Sequence, residues 1–316
     1  MPEINMDNRN QYALITGATS GIGYELAKLF AKDGYNLILV ARNEELLQRT
    51  SDELKQQYGV EITPLAKDLF NPNAAKEIYD KTRDMGINVN VLVNDAGQGQ
   101  WGPFVETELQ RDLDIIQLNI MSVVSLTKYF VRDMIRRNEG KILQLGSEAG
   151  TSPVPLLATY GATKAFVISF SVALADELRD TNVSVTVLLP GATDTDFFHK
   201  ANQENTVTYR EKGLLSPEEV AKDGYDALMR GERKIVSGGK TKMHVFMADL
   251  LGDKASAVNF RKQMEPSDKS PDEGRTQTTH DASRREREHI EQTSGSDGDY
   301  PKQKATTYKP QKHPLK

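Results

Sequence analysis

A tyrosine and a lysine four residues apart are the first residues in this sequence whose types and spacing suggest chemistry. Tyr160 and Lys164 lie at the start of a predicted helix, where side chains at this separation share one face. Ser147 comes just past the end of a predicted strand. A phenol beside an ammonium suits proton transfer, and a nearby hydroxyl can stabilise negative charge on a substrate oxygen. Alone, Ser147 could equally be a turn residue, so the interpretation depends on its surroundings.

A glycine-rich turn supplies the second part of the predicted site. Residues 16–23 read Thr-Gly-Ala-Thr-Ser-Gly-Ile-Gly, between a predicted strand and a predicted helix. Gly17 permits a tight turn, Gly21 lets the backbone approach a pyrophosphate, and Gly23 lets the helix pack against the sheet. The N–H groups of the helix N-terminus can then bind phosphates. We expect a dinucleotide here; a purely structural turn is the alternative.

The residue after the second predicted strand indicates which dinucleotide binds. NAD sites often have an acidic residue there, which hydrogen-bonds the ribose 2′-hydroxyl. This chain has Ala41 followed by Arg42. A guanidinium can hold a 2′-phosphate through two charge-assisted hydrogen bonds, whereas a carboxylate would repel it. We therefore expect NADP(H) rather than NAD(H). In the alternative, Arg42 is a solvated residue at a helix start.

These residues must be positioned by the alternating strands and helices that surround them. Seven short runs rich in Val, Ile and Leu predict strands covered on both faces: 12–15, 36–41, 62–66, 89–93, 141–145, 184–189 and 234–237. Helical patterns cover 23–32, 44–58, 73–85, 112–137 and 163–179. Strict alternation implies right-handed crossovers. We predict an α/β fold with a doubly wound, seven-stranded parallel sheet of the Rossmann type in a single domain.

The composition narrows the class of protein. A net charge of −5 gives no sign of a general nucleic-acid binder. The sequence has no cysteine, which excludes disulfides, zinc thiolates and thiol nucleophiles. The polar N-terminus does not resemble a signal peptide, and no run approaches the ~18 apolar residues of a membrane span. We expect a cytoplasmic protein with no metal site, no nucleic-acid partner and no membrane span.

Together, the motifs resemble the short-chain dehydrogenase/reductase family over about residues 11–239. The resemblance implies hydride transfer between NADP(H) and a ketone, aldehyde or secondary alcohol. It adds Asn119 to Ser147, Tyr160 and Lys164 as the fourth member of a catalytic tetrad. Besides Tyr160 and Lys164, it implies these coenzyme-binding residues: Gly17, Thr19, Ser20, Gly21, Ile22, Gly23, Arg42, Asp68, Leu69, Asn94, Ala96, Gly97, Pro190, Gly191, Thr193 and Thr195.

The same resemblance implies a role for each member of the tetrad. Tyr160 donates or accepts the proton, and Ser147 stabilises the developing negative charge. Lys164 binds the nicotinamide ribose and, with an oxidised nicotinamide, is expected to lower the pKa of Tyr160. Asn119 is expected to hold a water that links Lys164 to solvent.

Two positions depart from the family pattern. Asp95 stands where the second Asn of an N-N-A-G segment usually lies, and this puts the local geometry in question rather than the chemistry. Ser20 stands where many NADP-preferring relatives carry a basic residue, so Arg42 would hold the 2′-phosphate largely alone.

The chain divides into four predicted segments: an N-terminal extension (1–10), the catalytic domain (11–240), a C-terminal helical extension (241–264) and a disordered polar tail (265–316). Within the domain, residues 192–215 show no clear strand, which favours a mobile lid over an ordinary surface loop. The helical extension, which Gly252 would divide in two, could cover the sheet edge, join a subunit interface or lie on a membrane surface. Packing within the protein or a dimer is favoured. The tail has too few apolar residues to fold.

The sequence does not name the substrate. Pocket candidates lie in residues 98–104, 153–157 and 192–201, and a moderately hydrophobic carbonyl compound or alcohol is expected. Trp101, Phe104, Phe197 and Phe198 either line this pocket or pack elsewhere, and His199 is expected to be a loop residue. A homo-oligomer is expected from the resemblance. The alternative function is a non-catalytic dinucleotide-binding sensor or scaffold that recruits a partner through its tail. An epimerase or dehydratase would show a different glycine spacing and a longer substrate domain.

Overall fold

The computed structural model describes residues 8–211 and 213–268. Within them, seven strands form one parallel sheet in the order β3-β2-β1-β4-β5-β6-β7. The strands are β1 (Tyr12–Thr16), β2 (Asn36–Ala41), β3 (Ile62–Ala66), β4 (Val89–Asn94), β5 (Gly140–Leu145), β6 (Val183–Leu189) and β7 (Lys234–Val236). All seven predicted strands are present, with ends that differ by at most one residue. The predicted doubly wound sheet is confirmed.

The two faces of this sheet explain why its strands are apolar throughout. Ala13 and Ile15 belong to one buried cluster, whereas Leu14 between them belongs to the cluster on the opposite face. Successive side chains of a strand point to opposite faces, so a strand covered on both sides needs apolar residues at every position. Leu37, Leu39 and Ile38 of β2 repeat the pattern.

Helices cover both faces of the sheet. They are α1 (Gly21–Lys32), α2 (Glu44–Tyr58), α3 (Ala74–Asp84), α4 (Leu109–Ile116), α5 (Ser122–Arg137), α6 (Ala158–Glu177), α7 (Phe197–Lys200), α8 (Val207–Glu211), α9 (Pro217–Met229) and α10 (Gly239–Met264). Helices α1, α2 and α9 pack on one face, and α3, α5 and α6 on the other. Chain order reverses between β1 and β4, and the carboxyl ends of strands at such a switch point border the ligand crevice of doubly wound sheets.

The helix predicted over residues 112–137 is interrupted. Between α4 and α5, residues Gln117–Met121 form a π-helical segment. Such segments are rare and often lie at functional sites, because the inserted residue changes the direction of nearby side chains. Asn119 lies at the centre of this segment and is buried. The sequence pattern gave no signal of the interruption.

Residues 192–215 and the C-terminal helix pack together. Gly252, with φ 72° and ψ 168°, divides α10 into two arms, as expected from its position. The Val207 N–H donates to the Glu265 carbonyl at 3.0 Å, and Thr208 Oγ1 donates to the Gln263 carbonyl at 3.0 Å. The segment contains α7 and α8, and it is therefore not an unstructured loop. Whether it moves as a lid stays a prediction.

Residues at both ends of the described chain are buried and hydrogen-bonded to the domain. Asn8, in the predicted N-terminal extension, is buried and donates to the Asp33 carbonyl at 2.9 Å. The first residues of the predicted polar tail make contacts with the domain: Ser267 is buried and its N–H donates to the Asn205 carbonyl at 2.7 Å. Residues 269–316 of that tail and residues 1–7 lie outside the described residues. The four segment boundaries otherwise stay predictions.

Across the described residues, α6 is the single helix whose length and mean hydropathy would suit a membrane span. It carries Tyr160 and Lys164, and its buried face packs on the sheet.

Candidate active site

The glycine turn has the geometry that close contact with its neighbours requires. Gly17 and Gly21 have φ values of 72° and 55°, a region that other residues rarely adopt. A Cβ on Gly17 would lie 2.8 Å from Asp95 Oδ2, and one on Gly21 would lie 2.9 Å from Thr195 Cγ2. Any side chain would therefore strain the backbone and also clash. Ser20, the N-cap of α1, makes no side-chain capping bond to the first helical turn.

The side chains between the glycines leave the backbone of the turn bare at Gly21. Thr19 and Ser20 are half-buried on the loop, and Ile22 packs against the core cluster beside α1. Because the backbone at Gly21 is bare and the helix begins there, its N-terminus could accept a pyrophosphate. The loop thus fits a dinucleotide by its shape.

The ends of β4 and β6 border this turn. Thr16 Oγ1 accepts the N–H groups of Asp95 and Ala96, both at 3.1 Å, which fixes the chain after β4 beneath the glycines. After β6, the Pro190 carbonyl accepts the Glu148 N–H at 2.9 Å. Thr193 is buried and donates to the Gly191 carbonyl at 2.9 Å. The segments predicted to bind the coenzyme therefore lie together at the carboxyl edge of the sheet.

Arg42 follows β2 and is exposed at the same edge. Its guanidinium lies 5.1 Å from the centre of the Phe70 ring, and the guanidinium of Arg111 lies 5.7 Å from the same ring. Asp68 is exposed and accepts the Phe70 N–H at 3.0 Å, whereas Leu69 is buried. The structure thus adds Arg111, which the sequence analysis did not single out, to the positive charge at this end of the site.

Asn94 takes a different direction from its neighbours. Its Nδ2 donates to Thr127 Oγ1 at 3.2 Å and to Gln144 Oε1 at 3.0 Å, and all three residues are buried. The side chain therefore links β4 to α5 and β5. Any contact of Asn94 with a coenzyme would come from its backbone.

The predicted tetrad forms two contacting pairs, with Lys164 and Asn119 beside Gly97 and Ser147 against Tyr160. The Ser147 hydroxyl donates to the Tyr160 phenol oxygen. A Cβ on Gly97 would lie 3.4 Å from both Lys164 Nζ and Asn119 Oδ1. The sequence had placed these residues on three separate elements, and the structure brings them together.

Two hydrogen-bond sets hold Lys164 and Asn119 in place. Lys164 Nζ donates to the Leu145 carbonyl at 2.7 Å. Asn119 exchanges bonds with the backbone of Gln98, at 3.1 and 2.9 Å, and donates to Thr163 Oγ1 at 3.0 Å. The π-helical segment positions Asn119 for this set. Gln98 and Thr163 were not recognised as its partners from sequence.

Burial is the main influence on the pKa of Tyr160. Its pKa is raised to about 12, chiefly by burial and also by the carboxylates of Glu148 and Asp95, against the lowering effect of the Ser147 bond. The protein's own residues thus raise the pKa of Tyr160, and the lowering expected from Lys164 together with an oxidised nicotinamide stays a prediction. Lys164 lies 5.8 Å from the Tyr160 ring centre, and burial lowers its pKa to about 8 against the opposing effect of Asp95. The phenol is therefore protonated at neutral pH.

Apolar side chains close over Tyr160. Its ring lies 4.8 Å from that of Phe197, and both belong to a cluster with Trp101 and with Phe260 and Met264 of α10. Trp101 Nε1 donates to the Met264 carbonyl at 2.8 Å. The sequence pointed to Trp101 and Phe197 but not to Phe260 and Met264, whose contact depends on how α10 folds back.

The other aromatic and histidine candidates lie elsewhere. Phe198 is buried against Tyr209, with ring centres 5.0 Å apart, and Phe104 is 62% exposed. His199 contacts Glu204 at 3.2 Å and does not reach Tyr160 in the described hydrogen bonds. Val154, Leu156 and Leu157 of the predicted pocket segment are buried in the same cluster as Tyr160.

A Rossmann-type sheet, a glycine turn at its switch point and a Ser-Tyr-Lys group facing that turn define a class of oxidoreductases. The sequence profile described as short chain dehydrogenase matches residues 11–206, which is more than half of the chain. The chain belongs to this family.

Individual relatives resemble this domain rather than the whole of either chain. The very-long-chain 3-oxoacyl-CoA reductase of Laccaria bicolor is 39% identical over 181 residues, which are 56% of this chain and 53% of that protein. The protein of the same name from Homo sapiens is 36% identical over 187 residues, 57% of this chain and 58% of its own. This chain therefore spans little more than half the length of these relatives. Among solved structures, a short-chain dehydrogenase from Sphingobium yanoikuyae in complex with NADPH is 28% identical, with a TM-score of 0.68 over 82% of this chain and 99% of that chain.

Proposed function

We propose that this protein is an NADP(H)-dependent oxidoreductase that reduces a ketone or aldehyde, or oxidises the corresponding secondary alcohol, with Tyr160 as the proton donor or acceptor. The observation that carries the proposal is the Ser147–Tyr160 hydrogen bond beside Lys164, at the strand ends that border the glycine turn. A bound nicotinamide would supply the hydride. The chain's own residues bind, orient and protonate.

Each tetrad residue has a role that fits its contacts. Ser147 is hydrogen-bonded to the Tyr160 phenol, so a substrate oxygen that replaces this contact can receive the Ser147 hydroxyl as the negative charge grows on it. Tyr160, protonated at neutral pH, donates its proton to that oxygen. The Lys164 ammonium stabilises the resulting phenolate by its charge. Asn119 fixes the backbone of Gln98 beside Lys164.

The preference for NADP(H) is supported by the positive charge after β2. Arg42 is exposed, Ala41 puts no carboxylate beside it, and the guanidinium of Arg111 lies near the same Phe70 ring. A planar guanidinium suits a 2′-phosphate. The Sphingobium yanoikuyae structure was solved with NADPH, which agrees with this preference.

The substrate class follows from the walls around Tyr160. The cluster that contains Tyr160 is made of apolar side chains, among them Trp101, Phe197, Leu156 and Phe260. We propose a moderately hydrophobic carbonyl compound. The named relatives make a 3-oxoacyl thioester the first compound to test.

A panel of ketones, aldehydes and 3-oxoacyl thioesters, followed by absorbance at the reduced-nicotinamide band with NADPH and NADH, tests the proposal. We expect turnover with NADPH and a higher Michaelis constant for NADH. Coenzyme binding without turnover on any carbonyl compound would favour the alternative, a dinucleotide-binding sensor or scaffold. A clear preference for NADH would contradict the role of Arg42.

We also propose a homo-oligomer that covers α4 and α6. These neighbouring helices expose apolar side chains, among them Leu113, which is 47% exposed, and Phe166, which is 39% exposed. Phe166 stacks on Phe170 with ring centres 5.9 Å apart, and this pair continues the apolar surface along α6. Adjacent exposed patches of this kind often mark interfaces. The cytoplasmic location stays a prediction.

A further inference from the structure

Asp95 is an acidic residue buried beneath the glycine turn, and the proposed mechanism does not use it. Its Oδ2 lies within 2.8 Å of the position of a Cβ on Gly17 and within 2.5 Å of one on Gly23. The Gly23 N–H donates to this carboxyl, and the Asp95 N–H donates to Thr16 Oγ1 at 3.1 Å. The carboxyl is therefore fixed directly under the backbone that would face a pyrophosphate.

The surroundings of Asp95 give its carboxyl group a pKa near neutral pH. Burial raises its pKa to about 7, against the lowering effects of the Lys164 charge and the Gly23 N–H. From α6, Lys164 and Tyr160 face it. Glu148 raises the pKa of Tyr160 by its charge, and α1 offers Asp95 a backbone N–H rather than a charge. One added negative charge nearby is therefore enough to shift the proton balance.

We propose that Asp95 takes up one proton from solvent when the dinucleotide binds, and so makes coenzyme affinity depend on pH. This inference depends on the proposed coenzyme site. A pyrophosphate above Gly17 and Gly23 brings negative charge close to the carboxylate and excludes water from it, and both effects favour the neutral acid. The neutral acid keeps one oxygen that can accept the Gly23 N–H, so the turn stays held. Asp95 is in this sense a positioning residue.

The sign of the pH dependence follows from linkage. At a pH below the pKa of free Asp95, the acid is neutral in both states and no proton is taken up. Above that pKa and below the raised pKa of the bound state, binding takes up a proton, and the dissociation constant increases by up to about tenfold per pH unit. Affinity for the coenzyme should therefore weaken as the pH rises above about 7.

The test is titration calorimetry with NADPH, from pH about 6 to about 8, in two buffers with different ionisation enthalpies. We expect the wild-type protein to take up a fraction of a proton that is largest just above pH 7. Asp95→Asn should take up less by that fraction, and its dissociation constant should increase less with pH than that of the wild type over the same range. Asp33→Asn, at the opposite end of α1, is the matched control and should behave as the wild type. Protons exchanged by the 2′-phosphate are common to all three proteins and cancel in the comparison.

The outcomes separate this inference from the proposed function. If NADPH binds to the wild-type protein without proton uptake, Asp95 has no such role, whatever the stability of the variant. If uptake persists unchanged in a folded Asp95→Asn protein, the proton belongs to another group, such as Lys164. If neither NADPH nor NADH binds the wild-type protein, the coenzyme site itself is wrong.

Discussion

At the scale of single residues, the surroundings of Tyr160 favour the phenol over the phenolate. A pKa of about 12, against the ordinary 10.0, corresponds to roughly 3 kcal/mol against ionisation. Burial contributes most of this, because Phe197 and α10 keep water from the ring. A protonated phenol that already accepts a bond from Ser147 is a proton donor in its resting state. The residues of the protein thus hold the phenol in the form that can donate a proton.

Replacing this phenol tests the assignment. In Tyr160→Phe, the ring still packs against Phe197 but has no proton to give. We expect carbonyl reduction to fall by a factor of about 10² to 10⁴, the usual contribution of a general acid. The dissociation constant for NADPH should change by less than about twofold, since the glycine turn is untouched. Steady-state kinetics and fluorescence titration measure the two effects, and Tyr58→Phe on α2 is the control. Near-normal turnover would show that another group transfers the proton.

At the scale of elements, the strands could be predicted almost to the residue, and the reason is physical. A parallel strand covered on both faces is apolar at every position, as Ala13, Leu14 and Ile15 show, and a sequence displays such a run directly. The glycine turn could also be predicted from the sequence, because positive φ values favour glycine at positions 17 and 21. Local signals therefore sufficed for the coenzyme end of the site.

The other end of the site depends on contacts between distant segments. The fold-back of α10, which brings Phe260 and Met264 to Tyr160, depends on bonds from Trp101 and Thr208. The π-helical insertion at Asn119 leaves no periodic trace in the sequence. The raised pKa of Tyr160 could not be predicted for a related reason: its main cause is burial, which exists only after the chain has folded.

The glycine turn yields an element-scale prediction with an internal control. In Gly21→Ala, the alanine backbone must adopt a φ of 55°. Its Cβ would also lie 2.9 Å from Thr195 Cγ2. Gly59→Ala imposes a similar φ of 70° at the end of α2, but nothing lies within 4 Å of its Cβ. We expect Gly59→Ala to cost about 1 to 2 kcal/mol of unfolding free energy and to leave NADPH affinity unchanged.

Gly21→Ala should show the same strain and also weaken NADPH binding at least tenfold, by about 1.4 kcal/mol or more. Denaturant unfolding and fluorescence titration distinguish the two effects. Equal NADPH affinity in both variants would mean that no dinucleotide approaches residue 21.

Truncation separates the C-terminal helix from the residues beyond it. A chain that ends after Asp268 keeps α10 and the bonds of Glu265 and Ser267 to residues 205–211. We expect it to retain wild-type turnover. A chain that ends after Gly238 loses Phe260 and Met264 from the cluster around Tyr160, and we expect turnover to fall at least tenfold. Circular dichroism should show a folded sheet in both. Loss of turnover in the chain that ends after Asp268 would instead assign a catalytic or structural role to residues 269–316.

At the scale of the whole molecule, the apolar surface on α4 and α6 is the feature that a monomer explains least well. Helix α6 has the length and mean hydropathy of a membrane span, yet its buried positions occupy one side of the helix. Phe166 and Val172 on α6 are each 39% exposed. Met121, in the π-helical segment beside them, is 53% exposed. A second copy related by a twofold axis would place the same surface against itself, which is the commonest symmetry of soluble oligomers. Such packing would also fix α6, the helix that carries Tyr160 and Lys164.

A single charge distinguishes this arrangement from a monomer. In Phe166→Asp, self-association across α6 would bury an unpaired carboxylate beside its symmetry copy, which is strongly unfavourable. We expect the wild-type protein to be a dimer or tetramer by light scattering after size exclusion, and the variant to dissociate at least a hundredfold more readily, by about 2.7 kcal/mol. Val258→Asp is the matched control, because Val258 is 55% exposed on α10 and lies outside this surface. If both variants keep the wild-type mass, the α4–α6 surface is not the interface; if the wild-type protein is monomeric, the surface needs another explanation.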